Sequence, residues 1–280
     1  MKKYLFLLFA GIAGLISCGD DDKPSLPELN KLTKVTCYKN NSLSPEFVLD
    51  ITYTSEGQIA YMTENNTEKK QFLYAGNTIL VAGLSAEDVT STEYTLSNKT
   101  IVRKKVSDKN SYKGNEIYVR DDYKYGYRNG NLVQTSWTAL IPKSDGKYET
   151  KQYNEAELYT WENGNAVRFT EYTREMVYEY GTGNIRPLNF PFRVIASFTP
   201  TGMEQFTPLN LQYGTLNKNL PSRAYWYNVP DTSVKQAEYT YSFSMIGDYI
   251  TGMTIMEQIY SVDGKAGETN TYSYTFEYAV

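Results

Sequence analysis

The chain of 280 residues contains no histidine. That absence excludes Ser-His-Asp and Cys-His nucleophile systems, which need imidazole as the base, and the usual histidine-rich zinc and iron sites. An excess of basic residues is also missing: 28 Lys and Arg stand against 32 Asp and Glu. Nucleic acid, whose phosphates require a basic surface, is therefore not an expected partner. The one long apolar run, residues 4 to 16, falls short of the roughly 20 residues that a membrane-spanning helix needs. Helical periodicity is almost absent; "SAEDVTSTEYTL" offers one helical turn at Ala86 to Val89. No glycine-rich loop follows a strand and opens a helix, so no nucleotide site is expected. A mechanism built on two carboxylates, as in glycoside hydrolysis, is the catalytic option that survives these absences.

The short apolar run has a role in its own right. Lys2 and Lys3 precede it, as in the charged region of a signal peptide. It ends in Leu15-Ile16-Ser17-Cys18, which resembles a bacterial lipobox: an aliphatic residue, two further residues with a small one last, then cysteine. The resemblance implies cleavage before Cys18 and acylation of its thiol, the best nucleophile available for alkylation. Several acyl chains give stable anchoring where one is marginal. Asp20, Asp21 and Asp22 follow at once. A run of acid beside a membrane is ordinarily a solvated tether. This one also resembles the acidic tag that Bacteroidetes-type lipoproteins carry for export to the outer face of the outer membrane. The expected organisation is a signal peptide over 1–17, a lipidated cysteine and acidic tether over 18–34, and a single all-β domain over 35–280. Outer-membrane attachment at the cell surface is expected, with the periplasmic face as the alternative. Removal of Lys2 and Lys3 with the leader leaves 26 basic against 32 acidic residues. Once Cys18 is lipidated, Cys37 has no partner for an intramolecular disulfide and is expected to be a small buried side chain in the first strand.

What the chain has in abundance is tyrosine, 27 residues, a ring suited to a pleated, half-wet surface. The tyrosines recur at alternate positions just before glycine or asparagine turns. Tyr53 precedes Ser55-Glu56-Gly57-Gln58, Tyr123, Tyr125 and Tyr127 precede Asn129-Gly130, and Tyr159 and Trp161 precede Asn163-Gly164. Tyr178 and Tyr180 precede Gly181-Thr182-Gly183-Asn184, and Tyr239, Tyr241 and Phe243 precede Gly247-Asp248. Alternation places each set on one strand face, and Asn-Gly supplies the positive φ angles of tight hairpins. An aliphatic residue follows most turns, as at Ile59, Ile101, Leu132, Ile185 and Ile250. The pattern predicts an all-β antiparallel meander of tyrosine-rich hairpins, folded into a water-soluble barrel-like or strongly curved sheet. Residues 187 to 235, broken by prolines and glycines, are expected to be long loops with two or three strands between them.

The lipobox, the acidic tether, the "Y-x-Y-x-x-G-N-L" hairpins and the segment "YGTLNKNLPS" (Tyr213 to Ser222) together resemble a Bacteroidetes lipoprotein domain of unknown function, one described as having a porin-like fold, over roughly residues 30 to 280. The hairpins are more loosely similar to the YD repeats of bacterial surface proteins, without most of the acidic residues expected after tyrosine there. Neither resemblance implies catalytic residues.

Aromatic and acidic residues that alternate along a strand are the candidate sites. In "YNEAELYTWENGN", Tyr153, Glu155, Glu157, Tyr159 and Trp161 fall on one face of a regular strand. Rings that stack on C–H faces beside carboxylates that accept hydroxyl hydrogen bonds make a sugar-binding surface. The alternative is a solvent face whose rings lie against cross-strand neighbours. Glu155 and Glu157, about 7 Å apart on a strand, also read as glycosidase carboxylates, but exposed neighbours on one strand rarely acquire the split pKa values that the chemistry needs. Trp226, between Tyr225 and Tyr227 and ahead of Pro230, is either a ligand platform or a strand end packed on the core. Trp137 has the same two readings. Asp121 and Asp122 are adjacent and point to opposite faces of a strand, so no metal is expected. Neither cofactor nor enzymatic activity is expected. The expected function is a surface-anchored binding module for glycan or for an outer-membrane uptake partner. The alternatives are a structural envelope or adhesin-associated lipoprotein and a carboxylate-only hydrolase.

Overall fold

A computed structural model describes residues 31–84, 90–185 and 208–279. The leader, Cys18 and the aspartates at 20–22 lie outside these residues, as does the helical turn expected at 86–89. The strands are β1 Lys31–Lys39, β2 Phe47–Tyr53, β3 Ile59–Glu64, β4 Glu68–Ala75, β5 Thr78–Gly83 and β6 Ser91–Ser97. Longer ones follow: β7 Thr100–Asn110, β8 Glu116–Arg128, β9 Asn131–Pro142, β10 Tyr148–Glu162, β11 Asn165–Glu171 and β12 Arg174–Ile185. The last four are β13 Asn219–Asn228, β14 Lys235–Ile246, β15 Tyr249–Tyr260 and β16 Ala266–Ala279. Each pairs antiparallel with its neighbours in sequence, and β1 pairs with β16 from Lys31↔Ala279 to Lys39↔Tyr272, so the meander closes into a sixteen-strand barrel.

Two expectations need correction. The first strand begins at Lys31, inside the stretch assigned to the tether. Gly181-Thr182-Gly183-Asn184 is not a hairpin turn: β12 runs through it, and the register moves from Tyr180↔Pro221 to Ile185↔Asn219, which absorbs the extra residues as a bulge. Of the stretch 187–235, expected to hold loops with two or three strands, residues 187–207 lie outside the described residues; the described part carries β13.

The inward faces hold one continuous core that includes Val35, Leu49, Ile101, Phe169, Met176, Ile255 and the tyrosines Tyr178, Tyr241 and Tyr274. Cys37 is fully buried there and is a free thiol, as its position in the first strand predicts. The outward faces carry charge. Lys34–Asp50 (3.6 Å), Lys105–Glu93 (3.4 Å) and Arg103–Asp122 (2.6 Å) pair across adjacent strands, and Asp121 points the other way, 7% exposed.

Five aromatic residues, three of them just before a turn, share a specific job. Tyr53 donates to the Leu32 carbonyl (2.8 Å), Tyr127 to Ile101 (2.5 Å), Trp161 to Leu132 (2.7 Å), Tyr180 to Ala166 (2.6 Å) and Tyr278 to Ile250 (2.8 Å). In every case the donor lies on an even-numbered strand, at its end except for Tyr180, and the acceptor lies near the start of the strand before it. Each acceptor sits next to a β-bulge, where the register skips one residue. A bulge breaks the ladder and leaves backbone groups unpaired. A phenol or indole N–H aimed at that carbonyl restores the missing bond. Five of the strand pairs thus share one device, a ring with a polar tip, which accounts for part of the tyrosine content.

At this end of the barrel the segment 208–218 folds inward. Leu209 and Tyr213 are buried in the core, and Tyr213 meets Tyr125 edge-on at 5.0 Å. Thr215 N–H donates to the Gly130 carbonyl (2.8 Å) and Lys218 N–H to Gly164 (2.9 Å). Asn217 Oδ1 accepts from Ala166 N–H (2.8 Å), and Asn165 exchanges hydrogen bonds with Asn219. The segment thus plugs the barrel by bonding to the Asn-Gly turns, and the "YGTLNKNLPS" sequence is this plug and the start of β13.

Candidate functional site

The opposite end of the barrel has no such plug among the described residues, and its inner face changes character. Above the apolar core lies a belt of rings and ionisable groups contributed by successive strands. Tyr123 on β8, Trp137 on β9 and Tyr153 on β10 are register partners. Neighbouring strands lie about 4.8 Å apart, so partner side chains on one face meet ring to ring. Tyr123 and Trp137 stack at 5.8 Å and 5°, Trp137 and Tyr153 at 4.9 Å and 13°. Tyr172, in the two-residue turn between β11 and β12, meets Tyr153 edge-on at 5.6 Å and is 76% exposed. Lys104 caps the far side of Tyr123 at 5.7 Å. Trp137 Nε1 donates to Asp121 (3.0 Å), which also accepts from Arg120 Nε (2.8 Å).

These rings wall a cavity of about 280 Å³ lined by Tyr123, Trp137, Tyr153, Ala156, Glu157, Glu171 and Tyr172. Its carboxylates differ in their partners. Glu157 Oε2 accepts from Thr135 Oγ1 (2.7 Å) and Tyr159 OH (3.0 Å), both neutral donors. Glu171 accepts from Arg174, whose guanidinium lies 5.8 Å from the Trp226 ring. Beyond these, Glu257 is 8% exposed and accepts from Asn270 (3.2 Å) and Tyr272 (3.4 Å). Burial, with the Glu257 charge beside it, pushes the Tyr272 phenol up to about 12. Among the described residues no group of His, Cys, Asp and Glu is arranged to hold a metal ion.

The structure divides the residues expected to share one platform. Tyr153 and Glu157 line the cavity, and Tyr159 stands behind Glu157 as its hydrogen-bond donor. Glu155 does not join them. Between Tyr153↔Trp137 and Glu157↔Thr135 the β10 strand carries two extra residues, and this wide bulge leaves Glu155 exposed while Ala156 lines the cavity. The glycosidase pairing of Glu155 with Glu157 loses its geometric basis with that bulge. Trp161 is at the plugged end, donating to Leu132. Trp226 faces inward between its partners Met176 and Ala237 and packs on the core; its Nε1 and the Arg174 Nε meet no protein acceptor. Tyr123, Trp137, Tyr172 and Glu171 were missed as a group, because cross-strand register rather than spacing within one strand brings them together.

A porin-like protein from Bacteroides uniformis ATCC 8492 is similar in fold, with a TM-score of 0.57, 14% identity, and coverage of 88% of this chain and 98% of that one. A porin-like protein from Bacteroides vulgatus ATCC 8482 is similar to the same degree, at 0.56 and 15%, with 89% and 98% covered. At such identities the likeness concerns the fold. No curated protein matches the chain. The model of a family described as a domain of unknown function, DUF5032, matches residues 19–280, and the chain belongs to that family.

Proposed function

We propose that this protein is a lipid-anchored binding module that takes carbohydrate in the aromatic cavity at the end of its barrel opposite the 208–218 segment. The Tyr123–Trp137–Tyr153 stack beside Glu157 and Glu171 carries the reading. Ring edges and faces meet sugar C–H groups, and carboxylate oxygens accept sugar hydroxyls. At about 280 Å³ the cavity lies just under the roughly 300–1,000 Å³ of drug-sized sites, which suits a single sugar ring or a chain end. The reading assigns binding and no turnover.

The anchored position rests on Leu15-Ile16-Ser17-Cys18 and the aspartates after it. The surface of the barrel supports it as well. Lipid-facing strands carry an apolar band between aromatic girdles, whereas these outward faces carry Lys34, Asp50, Glu93, Arg103, Lys105 and Asp122. A barrel of this kind stands in water and needs a tether to stay at a membrane.

Two measurements test the reading. Binding of sugar is expected to quench tryptophan fluorescence; Trp137→Ala removes the response, while Trp161→Phe and Trp226→Phe keep it. A flat response across a broad polysaccharide panel sinks the carbohydrate assignment. Protease treatment of intact cells is expected to digest the wild type and to spare a variant with Asp20, Asp21 and Asp22 changed to Ala. Protection of both would make the aspartates a plain tether and put the domain in the periplasm.

A further inference from the structure

The polarity of the cavity goes one step further than its shape. Its lining contains four rings, two carboxylates and no cationic side chain. Arg174 compensates the charge of Glu171. Glu157 has no such partner: its donors, Thr135 and Tyr159, are neutral, and it makes no ion pair among the described residues. A carboxylate held among rings is costly unless an opposite charge meets it. The same rings attract cations, since an ammonium near an aromatic wall gains from the ring quadrupole. A metal ion does not fit this need, because calcium asks for six or more oxygen ligands and the walls here are mostly carbon. An anionic group would face both Glu157 and Glu171. We infer that the ligand of this cavity carries one protonated amine, seated against Glu157 and the Tyr153–Tyr172 rings. In the carbohydrate class, on which this inference rests, that means an amino sugar with a free ammonium group rather than its N-acetylated or neutral counterpart.

The test uses the full chain, with glucosamine, N-acetylglucosamine, glucose and tetramethylammonium chloride titrated against Trp137 fluorescence and by calorimetry. Glucosamine is expected to bind about tenfold more tightly than either neutral sugar, the gain of one cation–π and carboxylate contact. Glu157→Gln, which keeps an oxygen for Thr135 and Tyr159, is expected to erase that preference, and Glu155→Gln, outside the cavity, to leave it intact. Equal affinity for glucosamine and glucose overturns the amine and leaves the carbohydrate reading standing. Binding of tetramethylammonium without any sugar supports the cation and overturns the carbohydrate. No binding of any probe overturns both.

Discussion

Raising the pH above 10 is expected to unfold this barrel in one cooperative step. A phenol in the unfolded chain ionises near pH 10. Burial pushes Tyr74 up to about 12, and burial with the Glu257 charge does the same for Tyr272. Desolvation raises Tyr53, Tyr178, Tyr239, Tyr241, Tyr274 and Tyr278 as well. The folded state therefore keeps protons that the unfolded chain gives up. Their stabilisation is full below pH 10 and is lost as pH rises through 10 toward the folded values. Each such group removes up to about 1.4 kcal/mol per pH unit over that interval. With the partly exposed Tyr74 discounted for solvent screening, the eight together still remove a large part of the stability of a typical domain, about 5–15 kcal/mol. Tyr53 and Tyr278 would also surrender the protons they donate to the Leu32 and Ile250 carbonyls. The last part of the phenolate absorbance, that of the buried rings, is expected to appear together with the loss of far-ultraviolet circular dichroism. Complete phenolate absorbance with the strand signal intact at pH 12 would show that the buried rings ionise without unfolding, against the burial described above.

The second large effect is at Gly214 in the plug. Its φ is +77°, and a Cβ there would lie 2.4 Å from the Gly130 carbonyl oxygen and 2.8 Å from Tyr127 Cε1. The carbonyl is backbone in a tight turn and Tyr127 is held by Ile101, so neither has room to retreat. Gly214→Ala is expected to cost about 2–4 kcal/mol, the sum of left-handed backbone strain and overpacking. Gly264→Ala is the control: φ is +76° and nothing lies within 4 Å, so only the backbone term of about 1 kcal/mol applies. Urea midpoints measure both. Equal losses would mean that the plug does not press on the Asn129-Gly130 turn.

Hairpins were legible in the sequence because their two signals are local: rings at alternate positions, and Asn-Gly or Gly at positive φ after them. Closure was not, since the Lys31↔Ala279 pairing joins residues from the two ends of the domain and leaves no local mark. The Gly181–Asn184 stretch mimics a turn signal, yet those residues lie in a strand whose register shifts there. The opposite failure occurs at Tyr172-Thr173, a genuine two-residue turn with no glycine. The candidate site was half legible. Tyr153 and Glu157 follow from alternation, but the bulge that expels Glu155 looks like ordinary strand sequence. Trp137 joins them only through register with β8 and β10. The reason that a ring with a polar tip precedes three of the turns was visible as a habit and not as a cause, because the carbonyl it serves lies in another strand, beside a bulge that spacing cannot reveal.

The seam between β1 and β16 has a consequence for how the chain comes to be folded. Every other strand can find its partner as soon as the next hairpin emerges, so most of the sheet assembles from contacts close in sequence, which form fast. The first strand alone must wait for the last. Until it arrives, both flanks of the sheet present unpaired N–H and C=O groups, a template for pairing with other chains. Loss of the final strand would leave that exposure permanent, turning a sealed cylinder into a sheet prone to aggregate.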